Sequence, residues 1–177
     1  MANKSTRKLV YAAACLALAL VLPFLTGQIP TIGKMLSPMH IPVFLCGFLC
    51  GWQWGLLVGF VAPILRSLLF AMPKMYPSAI AMTFELATYG ALAGILYKRL
   101  PRKPWSVYVT LLAAMVGGRL VWGAARYILA GLDGSEFPFS AFLAGAVLNA
   151  IPGIILHIIL IPVLVLVLER AKLSMNN

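Results

Sequence analysis

The sequence predicts an all-α integral membrane protein, a bundle of six transmembrane helices, and three observations predict it. Hydrophobic residues make up 62% of the 177 and charged residues only 10%, more apolar surface than a soluble domain of that size hides in its core. Pro, Gly and charged clusters divide the chain into six apolar segments, to be judged against the roughly 20 residues a helix needs to cross a bilayer. Fourteen basic residues stand against four acidic ones, and most of the basic ones flank those segments, as the positive-inside bias requires. The net charge of +10 therefore reports topology, and nucleic acid is not a partner.

The first segment, 8–25, has a basic start (Lys4, Arg7, Lys8) and an apolar stretch from Leu9 to Leu25, the look of a secretory signal. It lacks a small-x-small cleavage site and more spans follow, so it reads as the first transmembrane helix. The second, 38–51, is short: the twelve residues His40–Gly51 make only about 18 Å of helix. It must begin earlier, be partly unwound, or pack where protein replaces lipid. The third and fourth are 54–70 and 76–98. The fifth and sixth, 104–131 and 137–168, are long and must tilt, kink or project, with Pro152 and Pro162 as kink points of the sixth. The six form one transmembrane domain, 1–177.

With the amino terminus inside, nine of the fourteen basic residues face the cytoplasm: Lys4, Arg7, Lys8, Lys98, Arg99, Arg102, Lys103, Arg170 and Lys172. The opposite side receives Lys34, Lys74, Asp133 and Glu136, and both termini are expected in the cytoplasm. The connection Thr26–Ser37, rich in Gly, Pro and Thr, is the longest loop and a candidate lid over an outward-facing pocket.

Small residues recur at four-residue spacing: Ala13 with Ala17, Gly47 with Gly51, Gly55 with Gly59, Gly90 with Gly94, Ala141 with Gly145. Such pairs let helix backbones approach closely in lipid. Ala13 and Ala17 differ from the rest. With Ala12, Ala14 and Ala19 they make a helix smoother than one bundle needs, a face equally suited to docking another membrane protein. Cys15, Cys46 and Cys50 all lie in apolar runs, give no disulfide framework, and lack the third and fourth ligands of a metal site, so they read as small packing residues.

Arg66 carries the first hint of function. It sits inside an apolar span, where an ionisable side chain is expensive and usually marks a ligand or ion path. Threading the segments in and out brings Arg66, His40, Glu85, Arg119, Arg126 and Asn149 to similar depth, on one outward-facing cavity with Tyr89 as its floor. Glu85 is about 14 Å deep and Asn149 about 18 Å. A guanidinium fork holds a carboxylate through two charge-assisted hydrogen bonds, so three Arg against one Glu favour an anionic solute. The bland alternative pairs Arg66 and Arg119 with Glu85 and with free carbonyls. Arg126 can snorkel outward, and His157 reads as packing. Trp52 and Trp54 read as interfacial anchors, while Trp122 faces either lipid or pocket. There is no P-loop, dinucleotide fingerprint, zinc-protease motif or nucleophile elbow. The chain reads as a non-enzyme, without a cofactor or metal of its own.

The string Ser37-Pro38-Met39-His40-Ile41-Pro42-Val43-Phe44-Leu45-Cys46-Gly47-Phe48-Leu49-Cys50-Gly51, followed by Trp54-Gly55-Leu56-Leu57-Val58-Gly59-Phe60, resembles the helix two to helix three region of the substrate-binding S components of energy-coupling factor (ECF) transporters. Six spans, cytoplasmic termini and the Ala13/Ala17 motif extend the resemblance over the whole chain. It implies high-affinity capture of a water-soluble vitamin from outside a prokaryotic cytoplasmic membrane. It also implies a transmembrane T subunit and two cytoplasmic ATPase subunits as partners, with Ala13 and Ala17 at the T-subunit interface. The loops Thr26–Ser37, Ala71–Tyr76 and Leu132–Glu136 would cover the pocket. His40 with Phe84-Glu85-Leu86-Ala87-Thr88-Tyr89-Gly90 looks most like pantothenate-type members. Pyridoxine, niacin, folate and queuosine-precursor members share the scaffold, and riboflavin members usually carry an acidic residue where this chain has His40. An autonomous secondary transporter or channel stays open as a different class, although no inverted repeat relates 1–90 to 91–177. A subunit without a ligand would leave the buried Arg residues unexplained.

Overall fold

The computed structural model describes residues 4–26, 35–171 and 173–176, so Lys34, Lys172 and most of the Thr26–Ser37 connection lie outside the described residues. Helix α1 (Lys4–Val21) continues into a 3-10 turn, Leu22–Thr26. Then come α2 (His40–Cys50), α3 (Trp52–Phe70) and, after an irregular turn at Met75–Ala79, α4 (Ile80–Arg99). The chain continues through α5 (Pro104–Asp133), a short α6 (Phe139–Ala146), a 3-10 turn at Leu148–Ala150, and α7 (Ile151–Arg170). Five stretches are long and apolar enough to cross a membrane: Lys4–Leu25, Trp52–Phe70, Met75–Arg99, Pro104–Asp133 and Phe139–Arg170. Among the described residues the fold is all-helical, and α2 is the sixth, shorter apolar helix.

The short α2 packs where protein replaces lipid. All its residues from His40 to Cys50 are buried, so its backbone ends never meet hydrocarbon and it need not reach both faces of the bilayer. A turn before it extends the hydrogen bonding, with the His40 N–H donating to the Ser37 carbonyl at 3.0 Å and that of Ile41 to Pro38 at 3.3 Å. Gly51, at φ +100°, then carries the chain into α3 in a single residue, in a region that side-chain-bearing residues avoid.

Helix α4 is central, packed against α2, α3 and α5. Glycines bring it there. A methyl group on Gly90 would collide with the Gly55 carbonyl of α3, one on Gly59 with the Leu86 carbonyl, and one on Gly94 with the Trp52 backbone nitrogen. In lipid no hydrophobic force pushes helices together, so this backbone contact and its dispersion attraction replace it.

The sixth apolar segment is two helices rather than one bent one. It breaks at Val147 and resumes at Ile151, because the ring of Pro152 crowds the carbonyl four residues back, at Leu148, and offers no N–H. Pro162, by contrast, is accommodated inside α7.

The two ends of the bundle differ in charge. Arg102 pairs with Glu169 at 3.0 Å, and Glu169 also accepts the Tyr97 hydroxyl at 2.7 Å. This joins the start of α5 to the ends of α4 and α7. Residues 173–176 fold back under the same end: the Met175 N–H donates to the Leu49 carbonyl at 2.7 Å and the Asn176 amide to Gly94 at 3.1 Å. Most of the described Lys and Arg residues gather at this basic end.

Candidate functional site

Glu85, on α4, is 1% exposed, and three side chains from three helices converge on its Oε1. The Tyr89 hydroxyl, one turn further along α4, donates to it at 2.7 Å. Arg119 of α5 forms an ion pair at 3.0 Å, and His40 at the start of α2 places Nε2 at 3.7 Å. The ring of Tyr89 reaches this position because it lies over Gly118 of α5, where any Cβ would strike it. His40 is aimed by its other nitrogen, Nδ1, which donates to the Ser37 carbonyl at 2.9 Å.

Aromatic rings wall the cluster. Phe44, one turn along α2 from His40, stacks on Tyr89 with centroids 4.8 Å apart. His157 of α7, 3% exposed, lies 5.7 Å from His40 and 6.3 Å from Phe44. Sequence reasoning left Phe44 out altogether and gave His157 to packing. The cost of an ionisable ring inside a span was a usable signal for His157; nothing in the sequence marks Phe44 among nine phenylalanines.

The cluster holds more hydrogen-bonding capacity than the protein uses. His40 Nε2, Arg119 Nε and His157 Nε2 are buried and have no hydrogen-bond partner among the described residues. Unmade hydrogen bonds in a buried setting cost about 1–3 kcal/mol each. Three of them around one ion pair mark a surface suited to a small polar solute.

Four of the six ligand candidates thus meet here: His40, Glu85, Tyr89 and Arg119. The other two do not join the single cavity expected from the threading. Arg66 is 3% exposed, but its guanidinium donates to the Leu20 carbonyl of α1 and lies against a pair of rings, 4.8 Å from Phe24 and 5.2 Å from Phe70. The polar end of α1 and the rings of the neighbouring turn satisfy it locally, which helical depth alone cannot reveal. Asn149 is exposed in the 3-10 turn that Pro152 forces before α7, so the depth counted along an unbroken helix does not apply to it. Arg126 stacks over Phe137 at 5.4 Å, and Trp122 packs against Phe137 and Phe142. At the end of the bundle opposite the basic one, Tyr76, Arg126, Asp133 and Glu136 border a small cleft.

Residues 7–165 match the family model of the ECF transporter substrate-specific component. The chain belongs to that family. No curated protein and no solved structure matches it. As an S component, it is a substrate-specific transport subunit of an ECF transporter rather than an enzyme, embedded in a membrane by multiple spans. The S-component assignment also gives the buried polar cluster its context. Small-molecule sites combine a largely apolar lining with a few convergent polar groups, and at the Glu85 cluster α2, α4, α5 and α7 bring such groups together.

Proposed function

We propose that this S component captures a small anionic, hydroxyl-bearing vitamin from the outer face of a prokaryotic cytoplasmic membrane, and that the vitamin is pantothenate. The observation that carries the reading is the convergence of Arg119, His40 and Tyr89 on buried Glu85, with three buried nitrogens around it still unbonded. A solute carboxylate takes the free edge of the Arg119 fork, where charge-assisted bonding is strongest. Its hydroxyl or amide hydrogens go to Glu85 and to the ring nitrogens. With Nδ1 donating to Ser37, His40 Nε2 is left as an acceptor for a solute hydroxyl or amide hydrogen. Phe44 and Tyr89 supply the apolar wall. A pantothenate molecule offers all of these: a carboxylate, two hydroxyls, an amide and a compact apolar centre.

The positive charge at the basic end supports a cytoplasmic position for both termini. The work of uptake then comes from a T subunit and two cytoplasmic ATPase subunits, with Ala13 and Ala17 at the contact. The test is direct binding of radiolabelled pantothenate to the purified chain in detergent without ATP, with mass spectrometry of any copurifying small molecule. Saturable one-to-one binding at micromolar concentration or below supports the proposal. Failure to bind, or copurification of pyridoxine, niacin, folate, riboflavin or a queuosine precursor, overturns the pantothenate assignment. Ion-driven uptake by vesicles holding this chain alone overturns the dependence on partners.

A further inference from the structure

At the basic end, the first turns of α1 and α3 border an open cleft of about 500 Å³. Lys4, Ser5 and Lys8 line it from α1, and Gln53, Trp54 and Leu57 from α3. Lys4 and Lys8 are one helical turn apart, so both ammonium groups reach the same opening. Among the described residues, no acidic one lines it.

Among the described residues, no acidic side chain pairs with either lysine. Its four acidic residues are all placed elsewhere: Glu85 pairs with Arg119, Glu169 with Arg102, and Asp133 and Glu136 border the small cleft at the opposite end. Helix α3 also begins at this opening, with no acidic residue in its first turn and no side-chain cap. Its first-turn N–H groups add partial positive charge to that of the lysines. An anion from outside the chain is what this arrangement lacks.

The surroundings decide which anion. Trp54 puts an amphipathic ring at the level where such rings sit between headgroups and hydrocarbon. Leu57, 50% exposed, and Phe60, 43% exposed, continue one and two turns along α3 towards the apolar middle of the bundle. Charge at the mouth and apolar surface leading away from it match a phosphate headgroup with an acyl chain behind. Basic pockets between helices on the cytoplasmic side of a membrane bind lipid phosphates in this way. At 100° per residue, Lys4, Ser5 and Lys8 lie on the opposite face of α1 from Ala13 and Ala17, so the cleft is separate from that smooth face.

We infer that the cleft between α1 and α3 is a binding site for one anionic phospholipid, its phosphate held by Lys4 and Lys8 with Gln53 and its chain laid along Leu57 and Phe60. The site anchors the basic end of the bundle and works independently of the Glu85 cluster.

The test compares native mass spectra of the chain released from vesicles of phosphatidylglycerol mixed with phosphatidylcholine. The wild type is expected to retain one phosphatidylglycerol with a preference of roughly 30-fold, the factor that two lysines near a lipid phosphate supply. The double variant Lys4→Ala/Lys8→Ala should lose that preference, while Lys4→Arg/Lys8→Arg keeps it. Both double variants change only the exposed end of α1, and melting temperatures equal to the wild type show that the fold is intact. Equal retention of the two lipids, or an unchanged preference in the alanine variant, overturns the site. Displacement of the lipid by millimolar glycerol phosphate or inorganic phosphate overturns the lipid assignment in favour of a soluble anion. Normal lipid retention in an alanine variant that no longer copurifies with the energising subunits would make the cleft a protein contact and also overturn it. Solute binding at the Glu85 cluster should be unchanged throughout, so failure here and failure there are separate results.

Discussion

Removing either charge of the Glu85–Arg119 pair leaves the other buried alone, and that asymmetry separates a site from mere packing. Glu85→Gln and Arg119→Gln should each destabilise the fold by about 3 kcal/mol. The double variant should cost less than the sum, since neither charge is then stranded. All three variants should lose solute binding by at least about a hundredfold, the equivalent of two charge-assisted hydrogen bonds. Thermal melts and binding on the same samples check both parts; a double variant that melts normally and still binds removes the pair from the site. Arg66 behaves differently. Held by the Leu20 carbonyl and the rings of Phe24 and Phe70, it clamps the end of α1 to the end of α3. Arg66→Ala should therefore lower stability by about 1–3 kcal/mol and weaken binding by less than about tenfold. A loss of affinity equal to that of Arg119→Gln would return Arg66 to ligand contact. The sequence shows that both arginines are expensive in a span, but which carbonyl, ring or carboxylate satisfies each one depends on helices up to 46 residues away.

Between elements, the α3–α4 crossing depends on the absence of side chains at a few points. Gly90→Ala puts a methyl group into the Gly55 carbonyl, and overpacking of this kind costs about 1–3 kcal/mol. Gly131→Ala in α5, where a methyl group meets nothing within 4 Å, should be neutral or stabilising, since alanine is the better helix former. Thermal denaturation of the two variants in detergent checks this pair, and similar melting temperatures would deny that close approach holds α4 in place. The four-residue glycine spacing was visible in the sequence, and its packing reading agrees with the contact. The break in the sixth segment was half visible. Pro152 stands out, but a kinked single helix and two helices joined by a 3-10 turn have the same hydropathy, and only the crowding at Leu148 separates them.

On the scale of the whole molecule, the all-helical membrane class is legible because a bilayer imposes it: apolar length, flanking charge and small-residue spacing are each written along one dimension. The site is less legible because convergence is not. Phe44 and His157 join the Glu85 cluster only once α2 and α7 meet. Helix α1 is the remaining question. It buries Ala12, Cys15 and Ala19 against the bundle, while Val10, Ala13, Ala14, Ala17, Leu18 and Val21 form a continuous exposed stripe. The spacing of that stripe is that of one helix face, and its middle is nearly flat. Lipid alone does not require flatness, whereas a partner helix that must approach closely does. Ala13→Leu/Ala17→Leu adds bulk at the centre of the stripe without touching any buried residue. Solute binding and melting temperature should therefore stay within error of the wild type. Uptake by the assembled transporter should fall at least about tenfold, because close small-residue contact cannot form around two extra isobutyl groups. Binding assays on the isolated chain and uptake assays on vesicles with all subunits separate the two effects. Loss of both would mean that the stripe supports the bundle itself, and loss of neither would mean that it faces only lipid.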